Sequence, residues 1–145
     1  MSLAKNLTIL IVEDDEGHAT LIQMNLRDAG IDNEIVHVLN GRAALDFVQA
    51  AQQAKHIQPL LILLDLNLPE IDGFGVLAQL KSDANTRRIP VIILTSTDDK
   101  REIARCYELG ANIFLRKPIE YASFVNAIKQ LGLFLSVVEM PGSSH

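Results

Sequence analysis

Leu60-Leu61-Ile62-Leu63-Leu64-Asp65 is the stretch on which the fold of this chain turns. Five consecutive apolar residues leave no polar face, so a strand built from them must be covered on both sides. The run is far too short to cross a bilayer. It ends abruptly on a carboxylate. Two further runs, Ile9-Leu10-Ile11-Val12 and Val91-Ile92-Ile93-Leu94, share the two-faced apolar character. Such runs are the mark of parallel strands sandwiched between helices.

Working outward, five runs rich in β-branched residues space themselves along the chain at Leu7–Val12, Glu34–Leu39, Leu60–Leu64, Pro90–Thr95 and Asn112–Leu115. Stretches of helical period lie between them. Ala19, Ile22, Leu26 and Ala29 recur at helical spacing, and Gly30 closes that helix as a C-terminal cap. Helices are expected over Gly41–Ala54, Gly75–Ser82 and Asp98–Leu109, and a last one from Tyr121 towards Val138, stopped by Met140-Pro141-Gly142. Strict alternation of strands and helices predicts an α/β, doubly wound, five-stranded parallel sheet with five helices. Right-handed crossovers favour the strand order 2-1-3-4-5. The expected organisation is one domain over residues 5–138, a short tail over 139–145 and no effector domain.

Composition narrows the function classes. A length of 145 residues with 48% hydrophobic and 21% charged residues fits one ordinary globular domain. The single cysteine, Cys106, rules out an internal disulfide and suits a reducing compartment. It reads as a small buried helix residue. Leu7–Val12 ends in acids rather than a cleavage site, so no signal peptide is read and the expected location is cytoplasmic. A net charge of −5, with no lysine or arginine stripe, argues against nucleic-acid binding. Arg87-Arg88 reads as a solvated loop edge.

In the order 2-1-3-4-5, ligands bind outside the carboxyl ends of the strands, at the switch point between the first and third. Glu13, Asp14 and Asp15 follow the first strand, Asp65 the third, Thr95 and Ser96 the fourth, and Arg116, Lys117 and Pro118 the fifth. Glu13, Asp14 and Asp65 therefore converge, and Lys117 can reach them on its long stem. Converging carboxylates raise one another's pKa unless a cation sits between them. Oxygen-only donors select a hard ion such as magnesium, which takes one or two carboxylates plus a phosphate. Such a site is prepared for an anionic group, and Asp65 is placed to form an acyl phosphate. Lys117 and Thr95 would meet the phosphoryl oxygens. Taken singly, each residue has a plainer role open to it. Asp14 or Asp15 could cap a helix, Thr95 could end a strand, and Lys117 could be solvated. Their joint placement around one switch point favours function.

Val12-Glu13-Asp14-Asp15, Leu64-Asp65-Leu66-Asn67-Leu68-Pro69 with Asp72-Gly73, Leu94-Thr95-Ser96 and Lys117-Pro118 together resemble the receiver domain of two-component response regulators. The likeness spans about residues 5 to 135 and implies the flavodoxin-like receiver fold. It implies that Glu13, Asp14, Asp65 and the backbone carbonyl of Asn67 hold Mg2+ and that Asp65 is phosphorylated by a histidine kinase. It implies that Thr95 moves to the phosphoryl group, that Lys117 pairs with it, and that Phe114 is the switch aromatic. Autophosphorylation from small phosphodonors and autodephosphorylation are expected too, with Asn67 and Thr97 tuning the lifetime. A cis Lys117–Pro118 peptide is a further expectation. Asn40-Gly41-Arg42-Ala43-Ala44-Leu45 and Leu133-Phe134-Leu135 resemble phytochrome-associated response regulators, which implies a phytochrome as kinase and a homodimer through the C-terminal region.

Other readings fall away on physical grounds. Gly73-Phe74-Gly75-Val76-Leu77-Ala78 fits a dinucleotide fingerprint, but Asp65–Asp72 separate it from its strand. Glu13-Asp14-Asp15-Glu16 would repel the phosphate of a flavin nucleotide. The alternative that survives is a small Mg-dependent phosphohydrolase with Asp65 as nucleophile. His18, His37, His56 and His145 show no ligand spacing and default to the surface. Phe124, Ile128, Leu131, Leu135 and Val138 form a core stripe on the last helix. Ala127, Phe134 and Val137 lie off it, and this surplus apolar surface suggests a homodimer or kinase-docking face.

Overall fold

The computed structural model describes residues 6–54 and 59–130. Within them β1 (Thr8–Val12), α1 (Glu16–Asp28), β2 (Ile35–Val38), α2 (Gly41–Gln53) and β3 (Leu60–Asp65) lead into α3 (Gly73–Ser82), β4 (Val91–Thr95), α4 (Lys100–Glu108) and β5 (Ile113–Arg116). A fifth helix, α5, follows over residues 121–130. All five strands are parallel, in the order β2-β1-β3-β4-β5.

Alternate residues of the central strands serve two separate cores. Leu10, Val12, Ile62, Leu64, Val91 and Ile93 pack on one face, against Ala44 and Val48 of α2, Val76, Leu77 and Leu80 of α3 and Cys106 of α4. Ile9, Ile11, Leu61, Leu63, Ile92 and Leu94 pack on the other, against Ala19, Ile22 and Leu26 of α1 and Phe124 and Ile128 of α5. Every residue of β1, β3 and β4 is buried, which is why those strands read as unbroken apolar runs. The edge strands β2 and β5 are half-buried and carry His37 and Arg116.

Four helices start on a side chain that accepts a backbone N–H. Asp15 caps α1, Asn40 caps α2, Asp72 caps α3 and Asp99 caps α4, an arrangement that satisfies an otherwise orphaned donor. Asp14 is thereby left free of the capping role, which falls to Asp15. After α1, Gly30 takes φ +81°, a left-handed conformation that glycine adopts without penalty.

Three expectations need correction. α4 begins at Lys100 rather than Asp98, because Asp99 caps it. α3 begins at Gly73 rather than Gly75, because Asp72 caps it from directly after the turn. Ala127, read as lying off the core stripe, is buried with Phe124 and Ile128; positions 124, 127 and 128 share one helix face. Leu131, Phe134, Leu135, Val137 and Val138 lie outside the described residues, as does the tail. No helix among the described residues is long and apolar enough to cross a membrane.

Candidate functional site

The parallel register carries four strand ends to one edge of the sheet. Val12 is level with Leu64, Asp65 with Leu94, and Thr95 with Arg116. The residues just beyond these ends surround an open cleft of about 540 Å³. Glu13, Asp14 and Asp65 form its acidic floor, and His18, Ser96 and Lys117 stand around it. Asn67 lines it too, and its backbone N–H donates to Asp65 Oδ1 at 3.2 Å.

Each acidic side chain is placed by a different local cause. Glu13 is 1% exposed and Asp65 4% exposed, because both continue buried strands. Asp14 is exposed at the mouth. Carboxylate oxygens of the three lie within 4.8 Å of one another. Burial, and then a hydrogen bond shared with Asp65, push the Glu13 carboxyl up to about 7 despite the nearby Lys117. Two carboxyls this close do not both ionise readily without a cation between them. The donor set is oxygen-only, spans one ion's width and opens to solvent. It fits a hard divalent cation such as Mg2+.

Gly73 sets the back wall. A Cβ there would stand 2.5 Å from Asp65 O and from Leu66 Cα, so α3 can start this near the end of β3 only because no side chain intervenes. The same closeness explains why Gly73-Phe74-Gly75 imitates a nucleotide fingerprint: the glycine admits backbone rather than pyrophosphate.

Lys117 reaches back across two strands, as its stem length allows. Its ammonium is paired with Glu13 Oε1 and stands 3.3 Å from Asp65 Oδ2. The Lys117–Pro118 peptide is cis, as expected. Thr95 is fully buried; its Oγ1 accepts from Thr97 N at 3.3 Å, and Ser96 rather than Thr95 faces the cleft. Thr97 Oγ1 in turn donates to Glu102 Oε1 at 2.7 Å. Phe114 is half-buried and packs on the α2–α3–α4 side of the sheet, away from the floor of the cleft.

Two histidines defaulted to the surface have specific contacts. His37 Nε2–H donates to the Glu13 carbonyl at 2.7 Å, which ties half-buried β2 to the site. His18, on the first turn of α1, brings Nδ1 to 3.2 Å from Lys117 Nζ. The sequence signal for His18 was its position three residues after the cap Asp15, which turns it towards the strand ends. Arg87 and Arg88 are exposed, as read.

A family model described as the response regulator receiver domain matches residues 9–129. The chain is 35% identical over 137 residues to response regulator Rcp1 of Synechocystis, covering 93% of each. A response regulator receiver domain structure from Rhodospirillum rubrum is 50% identical with TM-score 0.74, over 90% of this chain and 94% of that one. The bacteriophytochrome response regulator RtBRR is 37% identical with TM-score 0.76, over 86% and 77%. The chain belongs to the response regulator receiver domain family. Within that family it is homologous to phytochrome-associated response regulators.

Proposed function

We propose that Asp65 is the phosphoacceptor of this receiver domain, working with Mg2+ held by Glu13, Asp14, Asp65 and the backbone carbonyl of Asn67. The observation that carries the reading is the gathering of three carboxylates within 4.8 Å with Lys117 tied to two of them. A solved Mn2+-bound form of Rcp1, 36% identical to this chain with TM-score 0.70 over 86% and 90% of the two chains, supports the cation. Bound at this site, the ion would supply positive charge to the phosphoryl oxygens.

The remaining chemistry belongs to the chain. An Asp65 carboxylate oxygen attacks phosphorus, and a P–O bond forms as the P–N bond of the donor's phosphohistidine breaks. The bonding pair leaves with the imidazole, which takes up a proton. Lys117, already beside Asp65 Oδ2, neutralises a phosphoryl oxygen as charge shifts outward. Thr95 exchanges its contact from Thr97 N for donation to another phosphoryl oxygen, and Phe114 follows into the space vacated. The altered surface signals through changed protein–protein contacts.

The donor is a histidine kinase, and the likeness to RtBRR supports one of phytochrome type. A homodimer through the C-terminal helix region rests on the sequence surplus at Phe134 and Val137. Sedimentation with and without phosphodonor tests it, and a monomer under both conditions at high concentration would remove it.

Incubation with Mg2+ and acetyl phosphate, followed by intact mass, tests the main proposal. One phosphoryl group per chain is expected, absent in Asp65→Asn and absent when the metal is chelated, and decaying slowly by autodephosphorylation. Continuous turnover of many equivalents would favour the phosphohydrolase instead. Labelling that survives in Asp65→Asn would overturn the assignment.

A further inference from the structure

We propose that His18 is a positioning residue that holds the Lys117 ammonium against the nucleophile; the inference rests on Asp65 being the phosphoacceptor. An ammonium has three N–H donors and no acceptor. Lys117 Nζ meets three acceptors: Glu13 Oε1, Asp65 Oδ2 at 3.3 Å and His18 Nδ1 at 3.2 Å. All three donors are therefore engaged.

The partners are not equivalent. Glu13 and Asp65 are buried in the floor, whereas the His18 side chain is 53% exposed and approaches from the solvent side. His18 is thus the contact that keeps the ammonium from turning outward. Without it, the third donor faces water and the flexible stem gains room to swing away from Asp65.

The helix turn that carries the ring is itself held in place. The His18 backbone N–H donates to Asp15 Oδ1 at 3.0 Å, fixing the first turn of α1. Nε2 lies 3.9 Å from Asp15 Oδ2, and Nδ1 is turned inward, nearer to Lys117 Nζ at 3.2 Å than to Glu13 Oε1 at 3.5 Å. A ring nitrogen facing an ammonium is the unprotonated one. Asp15 therefore fixes the backbone from which His18 approaches Lys117. On phosphoryl transfer Lys117 gives up Asp65 Oδ2 for a phosphoryl oxygen, and the His18 contact holds it close enough to do so. His18 touches none of the reacting atoms.

Three variants and one spectrum decide the matter. His18→Phe keeps a ring but has no acceptor, and should slow labelling by acetyl phosphate at saturating Mg2+ by roughly three- to tenfold, the range of a partly exposed hydrogen bond to a charge. Its Mg2+ affinity should change less than about twofold, because His18 Nδ1 stands 3.5 Å from Glu13 Oε1, longer than an ordinary hydrogen bond. His18→Asn places Oδ1 near the lost Nδ1 and should restore labelling to within about twofold. In the 15N-enriched, unphosphorylated protein, the 15N resonance of His18 Nδ1 should move on Lys117→Met. Wild-type labelling in His18→Phe, no rescue by His18→Asn, or an Nδ1 resonance indifferent to Lys117→Met would each overturn the proposal. Failure of the wild-type protein to label removes the phosphoacceptor reading instead, and the resonance still reports on the His18–Lys117 contact.

Discussion

Replacing Glu13 with glutamine separates the two demands made on this carboxyl: burial in the folded chain and ionisation for a cation. Glu13 is 1% exposed, and its carboxyl is pushed from 4.5 up to about 7, first by burial. Holding it ionised in the metal-free fold therefore costs about 3 kcal/mol relative to the unfolded chain. A raised folded value means that the fold retains a proton which the unfolded chain releases. The stabilisation is fully present below about pH 4.5 and is lost as pH rises through about 7. Cation binding runs the opposite way, because a ligating carboxylate must give up its proton. With a midpoint near 7, Glu13 is about 10% ionised at pH 6 and about 90% at pH 8. Apparent Mg2+ affinity should therefore rise roughly tenfold over that interval, with a proton released on binding. Calorimetric titration at both pH values, in buffers of different ionisation enthalpy, measures affinity and proton count together. Glu13→Gln should bind Mg2+ weakly at both, lose this proton release, and lose the wild-type decline in metal-free stability between about pH 5 and 8. Equal wild-type affinity at pH 6 and 8 with no proton release would refute the reasoning, because Glu13 would then be ionised throughout.

Other perturbations follow from single contacts. Gly73→Ala sets a Cβ 2.5 Å from Asp65 O and Leu66 Cα; a destabilisation of about 2–4 kcal/mol by chemical denaturation, together with slower Asp65 labelling, is expected. Thr97→Val removes the 2.7 Å bond to Glu102 and the acceptor for Asp99 N. Hydrogen exchange should quicken at the first turn of α4, while global stability falls by only about 1 kcal/mol. Arg105→Ala takes away a guanidinium 4.5 Å from the Phe74 ring and should cost about 0.5–1 kcal/mol in thermal denaturation.

Much of the fold was legible because a strand covered on both faces must be apolar at every position. Leu60–Leu64, Ile9–Val12 and Val91–Leu94 show this plainly, and all are buried in the structure. The acidic cluster was legible for a related reason: parallel strands end on one side, so the residues after them must share an edge. What was misread depends on helix rotation and start. Ala127 is small enough to sit on either face, and only contact with Phe124 and Ile128 places it inside. The start of α3 hinged on Asp72 accepting from Gly75 N, a capping contact that spacing leaves open by a residue or two.

The strands, their order, the carboxylates at the switch point and the lysine beside them are written in the order of the amino acids. Those features follow from periodicity and chain connectivity, which are properties of one dimension. Tertiary structure alone decided that Glu13 is buried beside Asp65 and so holds its proton up to about 7. It alone decided that Thr95 faces Thr97 N rather than the cleft. It also brought His18, on a separate element 99 residues before Lys117, within 3.2 Å of the ammonium. Desolvation and hydrogen-bond pairing depend on distance in space, and periodicity does not encode that distance.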